Sequence, residues 1–150
     1  MSVEQRSAAR LAIVQALYQM EVAGKGINEI LAEFETHWIG REIEGVQYKP
    51  AELAFFRDVL QGVLANQRMI DQHIDRALAG GWPLQRVDAV MRAILRAGAF
   101  ELHGRKDVPA RVVIKEYVDV AGAFLEPTES GMINAVLDRV AREARPGELP

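Results

Sequence analysis

The chain has 150 residues, of which 49% are hydrophobic and 26% charged; that is enough apolar mass for one buried core and too much for a disordered segment. It contains no cysteine, which excludes disulfides, thiolate metal sites and a cysteine nucleophile, and fits a reducing, cytoplasmic setting. The formal net charge is −3, so any nucleic acid must be held by a local basic patch and not by the field of the whole molecule.

The start, MSVEQRSAAR, has no apolar stretch behind a basic one, so it does not read as a secretory signal. No apolar run is long enough to span a bilayer, and no membrane role is expected. The first element is a helix over 4–22. Ala9, Ile13, Ala16, Leu17 and Met20 recur at three and four and form one stripe. Gly24-Lys25-Gly26 stops it. Asn28 reads as the cap of a second helix, with Ile27 as a hydrophobic staple and Ile30, Leu31 and Phe34 on its apolar side to about His37.

Periodicity is lost over 39–49, which reads as a loop. Pro50 suits the first position of the next helix. Leu53, Phe56, Leu60, Val63, Ile70, Ile74 and Ala77 or Leu78 then share a face, with a break expected at 65–68 and a stop at Gly80-Gly81. Trp82-Pro83-Leu84 opens a further helix on which Val87, Met91, Ile94, Leu95, Gly98 and Leu102 align. A glycine at 98 costs about 1 kcal/mol against alanine, so a close helix contact is expected there. A charged turn at 103–107 precedes a helix begun by Pro109 and reaching Phe124. Leu125 to Thr128 connects it to a last helix over 131–144, after which RPGELP frays. The expectation is an all-α domain of six or seven helices in two packed bundles, with subdomains at about 1–80 and 81–145.

No catalytic constellation stands out. GxSxG, GxxxxGK[ST] and a strand-borne GxGxxG are absent. Asp71 and Asp75, with His73 between them, read as a solvated helix face. His37, His73 and His103 have no ligand spacing, so neither a metal nor a cofactor is expected. The binding features are basic. Arg6 and Arg10 lie one turn apart beside the core stripe, where they are either a solvated flank or a clamp for phosphate oxygens. Gln15 and Tyr18 could extend such a surface with hydrogen bonds and a stacking ring, or Tyr18 could be a core-edge residue. Arg105 and Lys106, with Arg111 nearby, are a weaker second cluster or only a polar turn. Arg96 reads as structural, since a charge on so apolar a helix needs a partner. Asn134 either ties the preceding connection or faces a ligand.

RSAARLAIVQALYQME, FFRDVLQGV, the W-x-L-x-R-V-D-x-V-M-R-A-I-L-R-A-G-A-F-E-L block, DVPARVVIKEYVDVA and INAVLDRVAREARP occur in this order. Together they resemble the family of the transcription antitermination factor NusB over nearly the whole chain. The resemblance implies a two-bundle all-α fold and a non-enzyme that binds boxA RNA with the small-subunit ribosomal protein NusE. Through that pair it would reach other Nus factors and RNA polymerase and support antitermination in ribosomal RNA operons; a homodimer stays open. It places Arg6 and Arg10 on the family's RNA-touching arginine run, Gln15 and Tyr18 on its Q-A-L-Y continuation, and Asn134 on the asparagine of its V-N-G-V-L-D block. Ser7 and Ala8 stand where the family often has arginines, and Gly131 and Met132 where it often has lysine and phenylalanine. Lys115 and Gly122 replace a usual asparagine and lysine. Fewer cations imply weaker RNA contact by this chain alone. Two other readings remain: an isolated module related to the N-terminal domain of an rRNA cytosine methyltransferase, and a helical adaptor that binds only protein.

Overall fold

A computed structural model describes the backbone of residues 3–43, 50–78 and 84–150, and the side chains of 5–37, 52–78 and 84–150. The described residues form seven α-helices and one 3-10 turn: α1 Val3–Ala23, α2 Ile27–Ile43, α3 Pro50–Ala65, α4 Gln67–Ala77, the turn Leu84–Arg86, α5 Ala89–Gly104, α6 Ala110–Phe124 and α7 Pro127–Ala144.

Several boundaries have a visible local cause. Gly24 ends α1 with φ of 69°, a conformation that costs glycine little. The expected break at 65–68 is real: Asn66 leaves the helix between α3 and α4, and its amide donates to the Gly62 carbonyl at 2.9 Å. Other boundaries differ from the sequence reading. α2 starts at Ile27, so Asn28 lies in its first turn and does not cap it, and α2 runs on to Ile43. The remainder of the expected loop, the Gly80-Gly81 stop and the Trp82-Pro83 start lie outside the described residues. α5 begins only at Ala89, where the Asp88 carboxylate accepts from the Val90 amide at 2.9 Å. α7 begins at Pro127, four residues before the expected start. Proline suits a first helical position, and the Glu129 carboxylate reaches back to the Glu126 amide.

α5 is the axis of the molecule and touches α1, α3, α4, α6 and α7. It can do so because its buried face mixes small and large residues: Ala93, Ala97, Gly98 and Ala99 among Ile94, Leu95 and Leu102. Gly98 is the close contact that its cost predicts. A Cβ there would lie 2.9 Å from a Leu137 methyl of α7 and 3.4 Å from the Tyr117 ring of α6. Gly62 on α3 makes a still closer approach to the Phe100 ring. Arg96 is structural, as expected. It is bidentate to Asp71 of α4 at 2.9 and 3.0 Å, and with Arg92 it also meets Glu21 of α1. Asp71 is therefore half of an ion pair and not a solvated carboxylate, while Asp75 accepts from the Leu84 amide at 2.7 Å.

The chain end does not fray. Arg145 is buried. Glu148 bonds the first amide of α6, and Leu149 packs on the core.

Candidate nucleic-acid interface

α1 sets the site from one side. Arg10 precedes Leu17 by seven residues, about two helical turns, so it lies on the buried stripe and not beside it. The position expected for it is corrected accordingly: Arg10 is 1% exposed. Its Nε and Nη2 donate to the two carboxylate oxygens of Glu101, both at 2.9 Å. Glu116 approaches at 3.7 Å, and the Tyr117 hydroxyl donates to the same Glu101 oxygen. The cause is Glu101, a fully buried carboxylate on the apolar face of α5 that requires a cation. Burial and the Glu101 charge push the Tyr117 hydroxyl well above its ordinary range. For Arg10, burial opposes the charge, but the Glu101 hydrogen bonds and charge prevail, and its pKa is raised. Ser7 joins this group by donating to Glu116 at 2.9 Å.

Arg6 is half-buried, its guanidinium carbon 6.0 Å from the centre of the Phe55 ring, and its Nε has no partner among the described residues. Arg10 and Arg105 approach the same ring at 5.1 and 5.0 Å. Phe55 thus joins the two basic clusters that are far apart in sequence. It escapes a pattern reading because Phe56 is the ring on the regular stripe; the adjacent FF pair is the only hint. Arg105 is neutralised by Asp107 at 3.1 Å and Asp58 at 2.9 Å. Its hydrogen bond to Asp107 leads the causes that raise its pKa.

Free positive charge sits one step further on. Lys106 and Arg111 are exposed, and neither has an ion-pair partner among the described residues. They line a furrow of about 700 Å³ between the α5–α6 turn, the start of α6 and α7. At Arg111, Asp138 and Leu149 it runs into a second hollow of about 360 Å³, where Lys115 and Asn134 stand. Asn134 is exposed there. Lys115 and Arg142 are matched by Asp119 and Asp138 through exposed pairs that add little.

Gln15 and Tyr18 lie elsewhere. Nine residues from Arg6 is about half a turn around the helix, so they emerge on the far side of α1. With Val90 and Phe124 they line a hollow of about 470 Å³, in which Tyr18 is 38% and Phe124 46% exposed. The sequence candidates therefore occupy four places: Arg10 is buried, Arg6 and Arg105 flank the Phe55 ring, Lys106 and Asn134 stand in the furrow and the hollow it runs into, and Gln15 and Tyr18 line an apolar hollow. Among the described residues no cluster of His, Cys, Asp and Glu could hold a metal ion.

The furrow sets Lys106, Arg111 and Arg142 among the carboxylates of Asp107, Asp138 and Glu148, and the adjoining hollow adds an exposed amide. The protein-family model described as the NusB family matches residues 7–142. The chain belongs to the NusB family. A curated relative, the transcription antitermination protein NusB of Rhodopseudomonas palustris (strain HaA2), is 65% identical over 144 residues, which is 96% of this chain and 85% of the relative. The T. maritima NusB structure is 32% identical, covers 94% of this chain and 93% of its own, and superposes with a TM-score of 0.80. A solved complex of the antitermination factors NusB and NusE with double-stranded RNA matches at 21% identity and a TM-score of 0.77, over 95% of this chain and 99% of that one, and speaks for the shared fold.

Proposed function

We propose that this member of the NusB family is a transcription antitermination factor. It binds boxA-type single-stranded RNA together with the ribosomal protein NusE, in the cytoplasm, and supports antitermination in ribosomal RNA operons. It acts by binding and not as an enzyme. The observation that carries the reading is the furrow in which Lys106 and Arg111 stand exposed and outside any ion pair among the described residues, next to the hollow that holds Asn134.

In this reading Lys106, Arg111 and Lys115 take phosphate oxygens, and Asn134 offers its amide to a base edge. Arg6 lies at the margin of the same edge. Arg10 acts from below, by holding α1 against α5. Gln15 and Tyr18 contribute to the second surface, whose exposed Tyr18, Val22 and Phe124 are of the kind that a protein partner covers.

Charge sets the strength. The two furrow cations Lys106 and Arg111, on a chain of net charge −3, bind RNA weakly, and a basic second subunit adds contacts and area. RNA affinity is therefore modest for the chain alone and higher with NusE. A filter-binding titration with and without NusE tests this, and equal affinity in both arms would sink it.

A further inference from the structure

The last turn of α7 leads into a strap that closes on the base of the furrow. Arg145 is 6% exposed, yet every guanidinium nitrogen is used. Its Nε donates to the Leu102 carbonyl at 2.8 Å, and Nη2 to those of Glu101 at 3.0 Å and Arg105 at 2.9 Å. Nη1 donates to the Val108 carbonyl at 2.6 Å. The last carbonyls of a helix lack partners within it and carry partial negative charge. One side chain therefore caps α5 and pins the turn that follows.

Arg145-Pro146-Gly147-Glu148 then reverses the chain. The Glu148 amide donates to the Arg145 carbonyl at 3.1 Å, and Gly147 has φ of 83°. A Pro-Gly centre with a left-handed glycine is the signature of a type II turn. The reversal lays the Glu148 carboxylate on the first amide of α6: it accepts from Ala110 at 2.6 Å and from Arg145 Nη1 at 3.2 Å. Both ends of the Arg105–Pro109 connection are thus held by the same four residues. The exposed side of that connection carries Lys106, and Arg111 follows in the first turn of α6.

We propose that Arg145 and Glu148 are positioning residues for RNA binding: the strap fixes the α5–α6 turn so that Lys106 and Arg111 face the furrow together, without either strap residue touching RNA. The proposal rests on the reading of the furrow as the RNA contact. The opposite role is chemically conceivable, because Glu148 is an anion lying in a basic furrow and could compete with a phosphate. The two roles predict opposite signs.

The experiment uses the full chain with NusE and a short boxA RNA, and compares Glu148→Ala, Glu148→Gln and Gly147→Val. Glutamine keeps an oxygen for the Ala110 amide. Valine strains the turn and leaves the charge unchanged. Glu148→Ala and Gly147→Val should each weaken RNA binding by about three- to tenfold, with Glu148→Gln within about twofold of the unchanged chain. Amide exchange at Ala110 should rise in the first two and not in the third. Tighter binding by both Glu148 variants would make Glu148 a competitor and overturn the proposal, as would unchanged binding and unchanged Ala110 exchange in Glu148→Ala. Should Lys106→Ala and Arg111→Ala bind RNA normally, the furrow reading is what has failed; the strap itself then stands or falls on the Ala110 exchange.

Discussion

Arg10 of α1 and Arg111 of α6 are both helical arginines, and they live on opposite terms with water. Arg10 is inside the protein with a carboxylate bonded to both prongs of its fork. Arg111 is on the surface, and among the described residues no carboxylate pairs with it. The residue type does not separate them. What separates them is the opposing helix: α1 faces Glu101 of α5, whereas the first turn of α6 faces an open furrow. A cation opposite a buried acid becomes structure, and a cation opposite solvent remains available for a ligand.

The sharpest way to break this contrast is to remove the acid. Glu101→Ala strands the Arg10 guanidinium in the core and should destabilise the fold by about 3–5 kcal/mol. Chemical denaturation with a far-UV signal reads this, and a loss under about 1 kcal/mol would show that Arg10 is not held as described. Gly62→Ala probes the same packing without charge. Its new methyl meets Phe100 atoms within van der Waals distance, and the shift required should cost about 1–3 kcal/mol by the same assay.

On the exposed side, Lys106→Ala and Arg111→Ala should leave the melting temperature nearly unchanged. Each should weaken RNA binding several-fold and lower the slope of log K against log salt by about 0.7, the value for one contact to a single strand. If Arg111→Ala melts early, the contrast with Arg10 collapses.

The smallest effect expected is a pH response. His103 of α5 is half-buried, its ring 4.3 Å from that of His73 on α4, and burial leads the causes that lower its pKa. The other groups near it are Glu143 and Arg145 at the end of α7 and Lys106 in the turn; the first opposes the shift and the other two reinforce it. Above the ordinary histidine pKa of about 6.5 both folded and unfolded chains hold it neutral. As the pH falls below that value the unfolded chain takes up the proton first, so stability declines. The melting temperature should fall modestly between neutral pH and pH values below about 6, and His103→Gln should flatten that decline.

Much of the helical framework is written in local pattern. The stripe of α1, the proline starting α3, the break at Asn66 and the need for a partner at Arg96 all follow from spacing and from the cost of bare charge. The strap escapes a sequence reading because Pro and Gly after a helix read as a fraying end, although the same pair marks a turn once something lies beneath it. The last turns of α2 escape it because they carry glycine and charges that weaken the period. The site was legible only in part. Lys106 and Asn134 stand in adjoining hollows that meet at Arg111, Asp138 and Leu149, whereas Arg6, Arg10, Gln15 and Tyr18 do not form one surface. Helical rotation alone already separates Gln15 from Arg6 by about half a turn.

By itself the sequence determined that this chain is helical, that its apolar residues fall in stripes suited to a core without cysteine, and that its candidate binding residues are mostly basic. Those properties depend on side-chain type and on spacing within one helix. Only the tertiary structure decided which arginine is buried, which cation is free, and that the last residues clamp the α5–α6 turn. Each of these depends on what a distant part of the chain places opposite the group, and a charge is spent or left available according to that neighbour.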